Sequence, residues 1–221
     1  MTSSSTNSIL SPRRLITFAA VLGLLVAMFL STTFVSGSDL SLRDADAQKE
    51  LSSQGFADEY YESQIVPYIV ENAVSLQTLH EAIQADPDAA GAEYGNRDGD
   101  SAAYSVPTVF EATALTYEND LIKLEVEGVE PEGDVYLAAG PALNGTAIRD
   151  VSGLVKFGAF TNQLEYQDAA TKLNDKVRDL VLSEFDPITE LEGKTLRITG
   201  AFSLFNVRNY IVMPIDIEVL Q

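Results

Sequence analysis

The sequence predicts an α+β protein with an amino-terminal transmembrane helix, a helical segment and a small antiparallel β-barrel that carries one inserted helix. Three observations support this prediction. Residues 15–35 contain no charged side chain. Apolar residues recur at steps of three and four through residues 56–83, which is the period of an α-helix. From Ala103 onward the apolar residues alternate with polar ones and many are β-branched or aromatic, which is typical of strands.

The amino-terminal region divides into three parts. Residues 1–14 are polar and end in Arg13 and Arg14, so we expect them to stay in the cytoplasm. Residues 15–35 are long enough to cross the hydrocarbon layer, which takes about 20 apolar residues. A cleaved signal peptide is the alternative, although this apolar run is long for one. Residues 36–54 are polar and are predicted to form a stalk that leads to an extracytoplasmic domain.

The segment 55–95 is predicted to consist of several short helices. Pro67 should break or kink the first of them, because proline lacks a backbone donor and clashes with the preceding turn. Ser75 suits the N-cap of a second helix. The Asp-Pro pair at 86–87 suits the start of a third. That helix is expected to end at Gly95 in a left-handed cap.

Residues 96–221 are predicted to form the barrel domain. Strand patterns occupy residues 104–118, 121–129, 134–141, 194–205 and 210–220, while 146–160 either prolong the third strand or form a further hairpin. Asn162 suits the N-cap of a helix between the third and fourth strands. This order matches an oligonucleotide/oligosaccharide-binding (OB) barrel, which a helix in that position plugs. An open antiparallel sheet with the helix on one face is the alternative.

Composition excludes several kinds of chemistry. The chain has 14 Lys and Arg against 33 Asp and Glu, and its net charge of −19 repels phosphate backbones, so we expect no nucleic-acid partner. It has no cysteine, which rules out disulfides, thiolate nucleophiles and the cysteine-linked lipid of a bacterial lipoprotein. His80 is the single histidine and is expected at the surface of the helical segment. We therefore expect neither a metal site nor a cofactor.

Polar residues between the third strand and the inserted helix form the candidate binding site. They are Thr146, Arg149, Asp150, Asn162, Gln163 and Tyr166. These side chains would suit a hydroxylated small molecule, or a loop of a partner protein, at the mouth of a barrel. A conformational interpretation competes, because Asn144-Gly145 favours a tight turn and Asn162 caps a helix. Arg149 and Asp150 are neighbours, so in a strand they would point to opposite faces and would not pair readily.

Three stretches of the sequence resemble a known family. They are PYIVENAVSLQTLHEAIQADPDAAGAEYGNRDG, GPALNGTAIRD and FTNQLEYQDAATKLNDKV. They are similar to the uncharacterised family of predicted periplasmic lipoproteins, and the resemblance extends over residues 58–219. Members of that family are often encoded beside sugar ABC transporters, so the resemblance implies an accessory role at the membrane. The residues that match its polar signature are Gly145, Thr146, Arg149, Asp150, Asn162, Gln163, Glu165 and Tyr166.

The sequence therefore predicts a membrane-anchored, single-pass protein with an extracytoplasmic accessory or binding domain, associated with a sugar ABC transport system and without enzyme activity. Because the lipid-bearing cysteine of the family is missing, residues 15–35 are expected to attach the protein to the membrane. The alternative is an envelope hydrolase that uses Asp150 and Glu165 as paired carboxylates, since general acid–base catalysis needs two carboxyl groups with separated pKa values.

Overall fold

The computed structural model describes residues 52–129 and 133–221. The predicted leader, the predicted transmembrane helix and the stalk as far as residue 51 lie outside the described residues. None of the helices in the two described ranges combines the length and the hydrophobicity that crossing a bilayer requires.

The helical segment begins with two helices that follow each other almost without a break. Helix α1 is Ser53–Tyr60, a π-helical turn occupies Tyr61–Ile65, and helix α2 is Val66–Asn72. The break expected at Pro67 takes the form of this π-helical turn, and the helix continues to Asn72. The proline is tolerated because it lies in the first turn of α2, where a missing N–H costs least.

Two further helices follow the short strand β1, Val74–Ser75. They are α3, Leu76–Ala85, and α4, Pro87–Tyr94. Ser75 and Asp86 are their N-caps, as the sequence predicts, and each side chain accepts backbone N–H bonds of the first turn. The left-handed cap expected at Gly95 is wrong, because its φ is −129°. Glycine is required there for space, since a Cβ would lie 2.9 Å from the Ser105 carbonyl oxygen.

The strands close into a barrel with the connectivity of an OB-fold. They are β2, Ser105–Glu118; β3, Leu121–Glu125; β4, Asp134–Ala138; β5, Thr195–Ser203; and β6, Asn209–Val219. The order is β2-β3-β4-β6-β5, and β5 pairs again with β2. The prediction of an antiparallel barrel is wrong at one seam, because β4 and β6 are parallel. Asn119 and Asp120 have φ of 53° and 66° and form the tight β2–β3 turn.

The segment between β4 and β5 departs most from the sequence prediction. The strand or hairpin expected at residues 146–160 is instead helix α5, Ala147–Asp150, followed by a 3-10 turn, Phe157–Ala159. Burial explains the difference, because Ile148 and Val151 lie three residues apart and are both fully buried. Helix α6, Gln163–Leu180, is the predicted inserted helix, and Asn162 caps it as expected.

Apolar side chains form two cores, one inside the barrel and one outside it. The interior core contains Phe110, Leu124, Leu137, Ile198 and Tyr210, and α3 contributes Leu76, Leu79 and Ile83 to it. The exterior core contains Ile65, Ile69, Ile148, Leu173 and Met213, which come from the π-helical turn, α2, α5, α6 and the outer face of β6. The prediction that the inserted helix plugs the barrel is therefore wrong. Helix α6 packs against the outside, and α3 packs against the interior.

Candidate functional site

Arg149 and Asp150 form a buried ion pair on α5. The guanidinium donates through Nε to Asp150 Oδ1 at 2.7 Å and through Nη2 to Oδ2 at 3.0 Å. Each residue is 6% exposed. The expectation that these neighbours would not pair is wrong, because it assumed a strand. In a helix, successive side chains are about 100° apart, since one turn takes about 3.6 residues, and they can reach each other.

Tyr166 and Asp98 extend this pair into a larger cluster. The Arg149 guanidinium lies 3.6 Å from the centroid of the Tyr166 ring, and its Nη1 donates to the Tyr166 carbonyl at 3.1 Å. The Tyr166 hydroxyl donates to Asp98 Oδ2 at 2.9 Å, and the Phe157 N–H donates to the same oxygen at 2.7 Å. This Arg149 cluster (Asp98, Arg149, Asp150 and Tyr166) joins α5, α6 and the loop before β2.

The surroundings of Tyr166 and Asp98 shift the pKa of each side chain. Burial raises the pKa of the Tyr166 hydroxyl, the charges of Asp150 and Asp98 raise it further, and Arg149 opposes them. Burial would also raise the pKa of Asp98. The hydrogen bonds from the Phe157 N–H and the Tyr166 hydroxyl, with the nearby positive charges, outweigh burial and lower that pKa. The phenol is therefore a neutral donor and Asp98 an anionic acceptor.

The other predicted site residues lie beside the Arg149 cluster. Thr146 is half-buried at the N-cap position of α5, where its side chain makes no capping bond. Asn162 is exposed and its Oδ1 accepts the N–H groups of the first turn of α6. Gln163 is the exposed first residue of α6. The structure thus brings Arg149 and its neighbour Asp150 together with Tyr166. As ligand contacts, all six residues remain a prediction.

The carboxylates of the hydrolase alternative already have partners. Both oxygens of Asp150 accept from Arg149, and Glu165 accepts the Thr161 hydroxyl at 2.8 Å. A general acid and base must instead face the bond they act on. Among residues 52–129 and 133–221, no group of three or more His, Asp or Glu side chains could hold a metal ion.

A groove whose lining no sequence pattern predicts lies between α5 and the start of β6. Its volume is about 390 Å³. It is lined by Asn144, Gly145, Ala147, Ser203, Phe205, Asn206, Asn209, Ile211 and Met213. None of these side chains carries a charge. Phe205 is 79% exposed and Ile211 45% exposed, so apolar surface is open to solvent along this β6 groove.

A second depression continues the β6 groove across the barrel. It is lined by Thr116, Glu118, Asn119, Leu121, Lys123, Tyr136 and Asn209. Asn209 lines both, so the two form one face that crosses β3, β4 and β6 between the β2–β3 and β5–β6 loops. Lys123 is held there by Asp134, with the Nζ–Oδ1 distance at 2.9 Å. In OB barrels this face and these two loops are the usual ligand-binding region.

Helix α3 fixes the β5–β6 loop at one side of the β6 groove. The Tyr210 hydroxyl donates to the Val207 carbonyl at 2.8 Å, and Gln84 Nε2 donates to the same oxygen at 2.6 Å. His80 Nδ1 lies 2.9 Å from the Tyr210 oxygen and acts as the donor, because the hydroxyl proton is used at Val207. His80 is 5% exposed, so its predicted surface position is wrong. It faces the barrel core with the apolar residues of α3.

Helix α6 fixes the opposite rim. Asn174 is 4% exposed, and its Nδ2 donates to the carbonyls of Gly145 at 3.1 Å and Leu143 at 3.4 Å. Gly145 has φ of 117°, a backbone conformation that favours glycine. The tight turn predicted at Asn144-Gly145 is wrong, because such a turn needs positive φ at both residues and Asn144 does not have it. A sequence signal for Asn174 exists, because it lies three residues before the buried Val177 on the apolar face of α6.

Comparison with known proteins identifies the family and the fold. The chain belongs to the family described as predicted periplasmic lipoproteins (DUF2291), which it matches over residues 22–218. No curated protein matches the sequence. A solved structure similar to this chain is the crystal structure of an OB-fold protein from Thermotoga maritima. The two chains are 17% identical with a TM-score of 0.60, and the match covers 76% of this chain and 97% of that one.

These findings confirm the family resemblance and the OB-like, α+β fold class. The family description supports an extracytoplasmic, membrane-associated protein. Neither the family nor the structural neighbour points to catalytic activity.

Proposed function

We propose that this protein is a membrane-attached extracytoplasmic binding protein that holds an uncharged, hydroxylated small molecule in the β6 groove and serves a sugar transport system. The observation that carries the binding role is the groove itself. It is open and free of charged side chains in a chain whose net charge is −19. Its two rims are fixed by hydrogen bonds from α3 and α6, so the site is formed before a ligand arrives.

The lining of the groove supports a saccharide as the ligand. Asn144, Asn206 and Asn209 present amides that both donate and accept hydrogen bonds, as sugar hydroxyls do. Phe205 and Ile211 offer apolar surface to the C–H face of a sugar ring. The lack of a basic residue in the groove disfavours phosphorylated ligands. For the same reason, and because of the net negative charge, we expect no binding of oligonucleotides, which other OB barrels bind.

Residues 15–35 would hold the protein at the membrane in place of the lipid of the family, since this sequence has no cysteine to carry one. Arg13 and Arg14 would keep the preceding residues in the cytoplasm and put the barrel outside. Protease added to intact spheroplasts should cleave after residue 39, as it does in lysed cells. Cleavage only after lysis would contradict the extracytoplasmic location.

Ligand binding can be measured on the full chain in detergent micelles. Thermal unfolding is followed against neutral mono- and disaccharides. A bound saccharide at 100 times its Kd should stabilise the fold by about 2.7 kcal/mol. The double variant Asn209→Ala/Ile211→Ala should lose this stabilisation. Val70→Ala, at an exposed position on α2, is the matched control and should keep it.

Two outcomes would contradict the proposed site. If no neutral saccharide stabilises the wild-type chain, the ligand class is wrong. If Gln163→Ala abolishes stabilisation while the groove variant keeps it, the ligand binds at the first turn of α6, among the residues that the sequence predicts.

The association with a transport system needs a separate experiment in cells. A photo-crosslinking residue in place of Phe205, which is 79% exposed, would report proteins that approach the groove. We expect specific capture of a sugar permease or of its substrate-binding protein. Capture of only abundant envelope proteins, equal to that obtained from position 70, would contradict the accessory role.

A further inference from the structure

Exposed apolar side chains lie around the first turn of α6. Leu164 is 77% exposed, Leu154 is 51% exposed and Phe157 is 49% exposed. We call these three residues the α6 entry surface. Single exposed apolar residues are ordinary on a protein surface. These three lie near the point where the chain enters the fold, in a segment of the sequence with no net charge, and both properties bear on their role.

The chain enters the described fold beside this surface. Helix α1 begins at Ser53, and the Ser53 hydroxyl donates to the Asp168 carboxylate. Asp168 lies four residues after Leu164, so the two share one face of α6. Helix α1 then runs along α6, where Lys176 Nζ lies 2.6 Å from Asp58 Oδ1. The polypeptide that arrives from residue 51 therefore reaches the fold next to Leu164.

A row of aromatic rings connects the entry helix to Phe157. Phe56 on α1 packs against Phe160, with ring centroids 5.9 Å apart. Phe160 packs against Tyr166 at 5.6 Å, and Tyr166 packs against Phe157 at 5.5 Å. The exposed Phe157 ring is the outer end of this row. Phe157 thus belongs to the same packed unit as the start of α1.

Charge separates this part of the chain from the rest. Residues 141–180 carry five basic and five acidic side chains, so the remaining residues account for the whole net charge of −19. Anionic lipid headgroups repel the acidic remainder and do not repel a neutral segment. The three residues of the entry surface lie within this neutral segment, as does the exposed Leu180 at the far end of α6.

We propose that the α6 entry surface rests in the headgroup region of the membrane to which residues 15–35 attach the protein. The inference rests on the attachment given under the proposed function. Residues 36–51 can span at most about 55 Å, at about 3.5 Å per extended residue, so the fold stays close to the bilayer. The part of the fold nearest the point where the chain enters can reach the bilayer with the shortest linker. With this surface on the bilayer, Leu164 and Phe157 enter the boundary between headgroups and acyl chains.

Tryptophan fluorescence can test this orientation, because the sequence contains no tryptophan. The full chain is reconstituted into vesicles of phosphatidylcholine and phosphatidylglycerol whose acyl chains are brominated. Leu164→Trp and Phe157→Trp place a probe on the entry surface. Leu180→Trp is the matched control, at a 44% exposed position on the same helix about 24 Å away, at about 1.5 Å per residue. Phe205→Trp reports the β6 groove.

We expect the brominated lipids to quench about half of the fluorescence at positions 164 and 157, since a probe about 5–10 Å into the boundary is within reach of bromine. Positions 180 and 205 should keep the intensity that they have in unbrominated vesicles. Quenching at 205 without quenching at 164 would place the groove loop on the membrane and overturn the proposal.

Vesicle flotation separates the two levels of failure. If the variants do not float with the vesicles, both the membrane attachment and this proposal are wrong. Variants that float but remain unquenched at 164 and 157 would overturn the entry surface alone and leave the attachment standing.

Discussion

The Arg149 cluster and the β6 groove lie on either side of the short helix α5 and have opposite properties. Arg149 and Asp150 are charged, buried and bonded to each other. The groove, which Ala147 of the same helix lines, is uncharged and open. Buried charges must be fully bonded to be tolerated, so little capacity remains for a ligand. In the groove, by contrast, the side-chain amide of Asn209 makes no hydrogen bond to the described residues, so it is available to a ligand. A dense set of charged residues therefore indicates a role in folding here.

The largest effect should come from breaking the buried ion pair. Arg149→Met leaves the Asp150 carboxylate buried without its partner, so we expect a loss of about 3–5 kcal/mol in the free energy of unfolding. Urea denaturation measures this loss. The double variant Arg149→Met/Asp150→Leu should recover most of it, because replacing a whole buried pair by apolar residues is often nearly neutral. If the free energy of unfolding of Arg149→Met lies within about 1 kcal/mol of the wild-type value, instead of about 3–5 kcal/mol below it, the ion pair does not stabilise the fold.

A smaller effect that depends on pH is expected at Asp98. Asp98→Asn weakens the charge-assisted bonds from the Phe157 N–H and the Tyr166 hydroxyl, at a cost of about 1–2 kcal/mol at neutral pH. The folded-state pKa of Asp98 is lowered from its ordinary 3.8. Its stabilisation is therefore fully present well above the ordinary pKa of 3.8, starts to fall about one pH unit above that value, and is lost as the pH falls through the folded pKa.

The measurement for Asp98 is urea denaturation at a series of pH values from 7 downward. The difference between wild type and Asp98→Asn should stay constant to about pH 5 and then shrink. Asp100→Asn is the matched control in the same loop, since the Asp100 side chain is fully exposed and only weakly paired with Arg97. A difference that grows as the pH falls would contradict the sign of the shift.

The helix cap at Asn162 should contribute less again. Asn162→Ala removes the acceptor for the Leu164 and Glu165 N–H groups and should cost about 1 kcal/mol. Asn162→Asp should restore stability, and Gln163→Ala, at the next position, should be nearly neutral. If Asn162→Ala leaves stability unchanged and abolishes saccharide binding, the side chain is a ligand contact, as the sequence predicts.

Features fixed by local chemistry could be predicted from the sequence, and those fixed by tertiary contact could not. Ser75, Asp86 and Asn162 were predictable caps because each bonds the turn that follows it. Helix α5 was not predictable, because the β-branched residues in and around it favour a strand. Burial of Ile148, which depends on tertiary contacts, stabilises the helix instead. The parallel seam between β4 and β6 joins residues more than 70 positions apart, and no local pattern records it.

The same distinction separates the two candidate sites. The Arg149 cluster draws most of its members from one polar stretch of sequence, so their proximity was visible. The β6 groove combines residues 144–147, 203–206 and 209–213, which are uncharged and individually ordinary. Asp98 joined the cluster through a loop that carries no helical or strand pattern, so its role appears only in the structure.

The smallest change in stability is expected in the β6 groove, and it gives the sharpest contrast with the Arg149 cluster. Ile211 points outward and is 45% exposed, while Ile217 on the same strand is 8% exposed and belongs to the interior core. Ile211→Ala should stay within about 0.5 kcal/mol of wild type, and Ile217→Ala should cost about 2–5 kcal/mol. Saccharide stabilisation should show the reverse order, lost in Ile211→Ala and kept in Ile217→Ala. A large loss of stability for Ile211→Ala would mean that this side chain packs in a core, and the distinction between an open groove and a closed cluster would fail.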